Sequence, residues 1–231
     1  MNEIKTIRWE NFQAKFSKTW RQGEHLVIVG ATGSGKTRLL RELIRARTYH
    51  AVMATKPYDA EMDRLVKFGG YTMFTDWPID LSAHSFPKRV IWPEARVMNA
   101  LKLYQKPAFK LAFDHIYTVG GWTVIIDELY FFCNLLKMMD TMKLYLTQAR
   151  SLHITLVQCS QRTAWVPVES FNQSTHLFFF AENDERNLSV ISGIAYKFRN
   201  EVKAAVCDLL PHHFLYFNRV SKELCISCVT T

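Results

Sequence analysis

Along the chain, short apolar runs alternate with longer segments in which apolar residues recur every three or four positions. "HLVIVG", "HAVMAT", "RVIW", "WTVIID", "HITLVQ" and "THLFFF" read as strands bounded by polar or turn residues. "KTRLLRELIRAR", "AEMDRLVKFG", "LLKMMDTMKLYLTQAR" and "ERNLSVISGIA" carry the helical period. The stretch "EARVMNALKLYQKPAFKLAFDHIYTV" is predicted as mostly helical, broken or kinked at Pro107. "HLVIV", "TVII" and "ITLV" are almost continuously apolar, as strands buried on both faces require. The alternation predicts an α/β fold, a mainly parallel sheet flanked by helices. "HFLYFN" and "ELCISCV" are predicted to close it as a β-hairpin. "TIRW" is a candidate short strand in an N-terminal extension over residues 1–24, and residues 25–231 read as a single domain. No internal repeat, low-complexity segment or linker-like stretch divides the chain.

Composition narrows the class. The chain has 231 residues, 48% hydrophobic and 22% charged, which suits a folded globular protein and excludes a disordered one. No apolar run is long enough to span a bilayer, and "MNEIKTIRWENF" lacks the apolar core of a secretion signal. A soluble cytoplasmic protein, with no membrane partner, is the simplest reading. Lys and Arg number 29 against 21 Asp and Glu, a net charge of +8. That balance favours a polyanionic partner, although a nucleotide site also draws positive charge. The five cysteines are odd in number and suggest no disulfide framework, which fits a reducing compartment. Cys225 and Cys228 form a C-x-x-C, with Cys207, His212 and His213 upstream. Their run alternates like a strand, where residues three apart face opposite sides, and this weighs against a zinc site.

One segment carries specific chemistry. "GATGSGKT", Gly30 to Thr37, matches G-x-x-x-x-G-K-[ST] at every fixed position, with a strand before it and a helix after it. Gly30, Gly33 and Gly35 let the backbone curl so that its N–H groups, with those of Ala31, Thr32 and Ser34, face phosphate oxygens. The helix that follows, opening through Lys36, Thr37 and Arg38, adds a favourable dipole. Lys36 is the expected ligand of the β- and γ-phosphates, and the Thr37 hydroxyl a magnesium ligand. ATP and Mg2+ are therefore the expected cofactors. The guanine-reading N-K-x-D of a GTPase is missing from the sequence.

"WTVIIDELYFF" ends an apolar strand in Asp127-Glu128. Asp127 is placed to hold the magnesium shell through water, and Glu128 to polarise a water for attack on the γ-phosphate. The plain alternative is an acidic pair opening a helix. In "TQARSLHITLVQCSQRT", Arg150 lies near a helix end and Gln161 just beyond a strand. Polar residues at C-terminal strand ends face the ligand crevice of such sheets, so Gln161 is a candidate γ-phosphate sensor. Arg150 is a candidate arginine finger for a neighbouring subunit. The plain alternatives are a loop residue capping its own backbone and a cation suited to a helix C-terminus.

Taken with "GATGSGKT" and "VIIDE", the run "TQARSLHITLVQCSQRTAWVPVESFNQSTHLFFF" resembles the FtsK–HerA superfamily of P-loop ATPases. Ala149-Arg150, the strand Ile154 to Val157, Gln161-Arg162 and the strand Leu177 to Phe180 carry the resemblance, and "LLPHHFLYFN" is similar to the superfamily's closing segment. The resemblance spans roughly Glu24 to Asn218. It implies a RecA/ASCE-like P-loop NTPase fold and a homo-oligomeric ring, pentamer or hexamer, with ATP at subunit interfaces and double-stranded DNA in the channel. It further implies Arg150 acting in trans and Gln161 as sensor. A core with little attached looks most like a viral DNA-packaging ATPase, for which a capsid portal is a candidate partner. A plasmid-transfer or DNA-segregation ATPase, or a nucleotide-gated phage assembly or secretion factor, are the alternatives. Lys56, Lys88, Arg89, Lys102, Lys106 and Lys110 are candidates for the DNA channel, against a plain reading as solvated faces.

Overall fold

A computed structural model describes residues 4–229. Its elements run α1 (Trp9–Thr19), β1 (Leu26–Val29), α2 (Lys36–Ile44), β2 (His50–Met53), α3 (Ala60–Phe68), β3 (Thr72–Phe74), β4 (Lys88–Ile91), α4 (Lys106–Val119), β5 (Thr123–Ile126), α5 (Met139–Gln148), β6 (Thr155–Ser160), α6 (Val168–Gln173), β7 (His176–Phe180), α7 (Glu185–Ile194), α8 (Arg199–Cys207), β8 (His213–Asn218) and β9 (Leu224–Cys228). Chain contacts define two units, one of residues 1–46 with 159–231, the other of residues 47–158.

In the first unit β1 pairs with β7 in parallel, and β8 and β9 continue antiparallel beyond it. Leu26, Val27, Ile28 and the four residues Leu177 to Phe180 are buried, as their apolar runs demand. The β8–β9 hairpin is the predicted one. α1 was not predicted from "TIRW", where Thr6 makes only a single bridge to Ile226 before the helix starts. Trp9, Phe12 and Phe16 form an i, i+3, i+7 stripe and are all buried. Phe12 and Phe16 meet Phe178 and Tyr216 with ring centroids 5.1–6.2 Å apart, in edge-on geometries. Trp9, Phe12, Phe16 and Trp20 are thus part of this unit's core.

In the second unit the strand order is β3-β4-β2-β5-β6, and every pairing is parallel. Asp59 caps α3, accepting from the backbone N–H groups of Glu61 (3.0 Å) and Met62 (3.4 Å). The predicted long helix through Pro107 is shorter than expected. Helix begins only at Ala100, a π-helical turn occupies Leu101–Gln105, and Pro107 falls in the first turn of α4. The helix is continuous from Ala100 into α4, and Pro107 directly follows the π-helical turn, where the ladder departs from the α pattern. A second π-helical turn, Phe131–Leu135, follows Asp127-Glu128, and α5 starts four residues later than its pattern suggested.

Candidate nucleotide site

The phosphate-loop residues lie in the first unit, between β1 and α2. Gly30 leaves β1 under Phe180: a Cβ at Gly30 would come within 2.6 Å of the Phe180 Cβ and 2.7 Å of the Ser34 Oγ. Gly33 and Gly35 take φ of +81° and +107°, which side-chain-bearing residues rarely adopt. The loop closes through a Ser34 N–H to Ala31 carbonyl bond of 3.2 Å. The Lys36 ammonium donates to the Gly30 (2.6 Å) and Ala31 (2.9 Å) carbonyls. The Ser34 Oγ is buried with no hydrogen-bond partner among the described residues. Thr37 and Arg38 occupy the first turn of α2 and are half-buried.

Gln161 is brought to this loop. The Gly30 N–H donates to the Ser160 carbonyl at 3.2 Å, and both residues belong to the first unit. The next residue then places its Oε1 3.3 Å from the Thr32 hydroxyl, which donates to it. The loop beyond is fastened in turn. Arg162 stacks on Trp165 at 5.1 Å, and the Ala164 N–H donates to the Asn187 Oδ1 at 2.9 Å. Asn187 donates onward to Glu182 at 2.8 Å.

Asp127, Glu128 and Arg150 lie in the second unit. Ile126 pairs with Met53 of β2, so the residues after β2 and after β5 emerge at the same strand ends. Lys56 uses this placement: its ammonium lies 3.5 Å from Asp127 and 3.2 Å from Asp59. Burial works against that ammonium, yet Asp127 and Asp59 outweigh it and hold its pKa above the usual lysine value. The Lys56 backbone is itself pinned, since its carbonyl accepts from the Trp92 indole at 2.8 Å. The neighbouring Thr55 carbonyl accepts from the buried Gln105 amide at 2.8 Å. Asp127 and Glu128 are half-buried. Arg150 is exposed on a 3-10 turn, Ala149–Leu152, that ends at His153 with φ +54°. The turn is held by a Gly121 N–H to Leu152 carbonyl bond of 3.0 Å. Arg150 shares a shallow surface depression with Tyr117, Thr118, Thr147 and Gln148.

Two residues near these groups were not placed at the nucleotide site from the sequence. Lys56 stood among the channel candidates; its position just past a strand end is the signal used for Gln161 and pointed equally to the Asp127 carboxylate. His212 stood only beside the C-x-x-C; its ring Nδ1 lies 3.3 Å from the Ser34 carbonyl of the phosphate loop. Cys225 is buried on β9 while Cys228 is half-buried. Arg89 is a correction. It is 1% exposed inside β4, with its guanidinium against the rings of both Trp77 (4.7 Å) and Trp122 (4.9 Å). It donates to the Phe86, Pro78 and Leu81 carbonyls at 3.0, 3.2 and 2.7 Å, so it cannot line a channel.

No protein-family model matches the sequence, and no curated protein matches it. Solved structures do. The genome packaging NTPase B204 from Sulfolobus turreted icosahedral virus 2, in complex with AMPPCP, superposes with a TM-score of 0.67 at 17% identity, over 90% of this chain and 98% of that one. The fold is that of a P-loop NTPase. B204, the DNA-packaging ATPase from Sulfolobus Turreted Icosahedral Virus, gives 0.65 at 20% identity, over 91% and 100%. The pCW3 conjugation coupling protein TcpA gives 0.51 at 17% identity, over 89% of this chain and 59% of that one. Among the described residues, no helix is long and apolar enough to cross a membrane.

Proposed function

We propose that this chain is a magnesium-dependent ATPase that works as a homo-oligomeric ring and moves double-stranded DNA, packaging a viral genome into a capsid. The observation that carries the reading is the likeness in fold, over nearly the whole of both chains, to a genome packaging NTPase. The phosphate loop adds its own support, with left-handed glycines where backbone N–H groups must turn towards phosphate. The net charge of +8 suits a DNA partner.

In this reading the loop N–H groups and Lys36 bind the phosphates, and Gln161, already bonded to Thr32, reports on the γ-phosphate. Glu128 accepts a proton from the attacking water. Arg150, exposed on its own turn, reaches a neighbouring subunit's nucleotide. Thr37 and Asp127 offer hard oxygen donors suited to magnesium, and Asp127 already carries a cationic partner in Lys56. Bound magnesium supplies charge neutralisation at the phosphates. A plasmid-transfer motor is the second reading, favoured by the likeness to the conjugation coupling protein.

The catalytic assignment is tested by mixing two variants. Glu128→Gln and Arg150→Ala should each lower ATP turnover by about a thousand-fold while retaining nucleotide binding. Mixed together they should recover part of it, because a Glu128→Gln subunit can lend its Arg150 to a neighbour whose Glu128 is intact. Turnover that survives Glu128→Gln would remove Glu128 from the reaction. No recovery at any mixing ratio would argue against Arg150 acting in trans.

A further inference from the structure

The segment that joins α8 to β8 reaches the phosphate loop, and it does so through a residue in an unfavourable conformation. The His213 N–H donates to the Leu210 carbonyl at 3.0 Å, closing a four-residue turn with Pro211 and His212 at its corners. His212 has φ of +63°. Proline at the second position and a positive φ at the third is the pattern of a type II turn, whose third position favours glycine or asparagine. A histidine held there is strained, and such strain persists where the side chain has work to do.

The side chain's contact gives that work a definite form. The His212 Nδ1 lies 3.3 Å from the Ser34 carbonyl oxygen. That oxygen only accepts, so Nδ1 carries the proton and donates. A trans peptide is planar, with its C=O and N–H pointing in opposite directions. A donor that holds the Ser34 carbonyl outward therefore holds the Gly35 N–H inward, towards the side of the loop that cradles phosphate. Nothing covalent restrains that peptide. Gly35 sits at φ +107°, where glycine's freedom would otherwise let it swing. A Cβ at Gly35 would lie 3.4 Å from the His212 Nδ1, so the imidazole stands directly against this peptide.

We infer that His212 is a positioning residue of the nucleotide site, an external latch that orients the Gly35 N–H for a nucleoside diphosphate or triphosphate. Its contact is with the loop backbone, and it acts through the Ser34–Gly35 peptide. The inference rests on the nucleotide-binding reading. It also assigns a role to the "LLPHH" segment, which otherwise only leads into the closing hairpin.

Two substitutions separate the donor from the backbone. His212→Gly permits the positive φ and removes the donor; His212→Asn tolerates the same φ and returns an N–H at the position of Nδ1. Calorimetric titration with ADP should show His212→Gly weakened about five-fold, the effect of one lost hydrogen bond. His212→Asn should lie within about two-fold of the unaltered chain, with melting temperatures of all three alike. ADP binding by His212→Gly that equals the unaltered chain's overturns the latch, as does an equal loss in His212→Gly and His212→Asn. Failure of the unaltered chain to bind ADP would instead sink the nucleotide reading beneath it.

Discussion

The Arg89 guanidinium, set against the touching indoles of Trp77 and Trp122 and bonded to three backbone carbonyls, closes the loop of residues 78–86 over β4. Burial pulls its pKa below the ordinary arginine value, yet three charge-assisted bonds keep it a cation. Arg89→Ala would leave those carbonyls unpaired and a void beside the two indoles, costing about 3 kcal/mol or more in denaturant unfolding. DNA affinity of the folded variant should stay unchanged; intact stability with weakened DNA binding would return Arg89 to the channel. Residue type alone placed Arg89 wrongly because a cation in "KRVIW" reads the same whether its head meets water or two indoles. The phosphate loop was legible because its chemistry is local: eight consecutive residues make the whole cradle. The Lys56–Asp127 pair and the His212–Ser34 contact join residues 71 and 178 positions apart, and no periodicity records such pairings.

At the scale of elements, strands buried on both faces were plain in the sequence because nothing else explains "LVIV", "TVII" or "HLFFF". β3 escaped notice for the opposite reason, being three residues long and only partly buried at a sheet edge. α8 escaped because Val202 and Val206 are its only buried anchors, too few to mark a period. α1 did carry a period, in Trp9, Phe12 and Phe16, but the neighbouring "TIRW" competed with it as a strand. Its aromatic stripe packs on β7 and β8, so α1 stabilises the unit that holds the phosphate loop. Phe16→Ala should destabilise that unit by about 3–5 kcal/mol, visible as a lowered melting temperature. A detachable arm would leave the transition where it was.

At the scale of the whole molecule, the two units divide the chemistry by chain segment. Residues 1–46 and 159–231 hold the phosphate loop, Gln161 and His212, and residues 47–158 hold Asp127, Glu128 and Arg150. The fold class and the closing hairpin followed from the alternation of apolar runs, while ring formation and double-stranded DNA are proposals that start from the sequence resemblance, with the net charge of +8 suiting DNA. The most direct test of the central claim is steady-state ATP hydrolysis measured with and without duplex DNA, at a low and a high salt concentration. A DNA-moving ATPase should turn over faster with duplex DNA at low salt. The stimulation should fade at high salt, as counterions reclaim the phosphates. Turnover that is indifferent to duplex DNA of any length at low salt would contradict it.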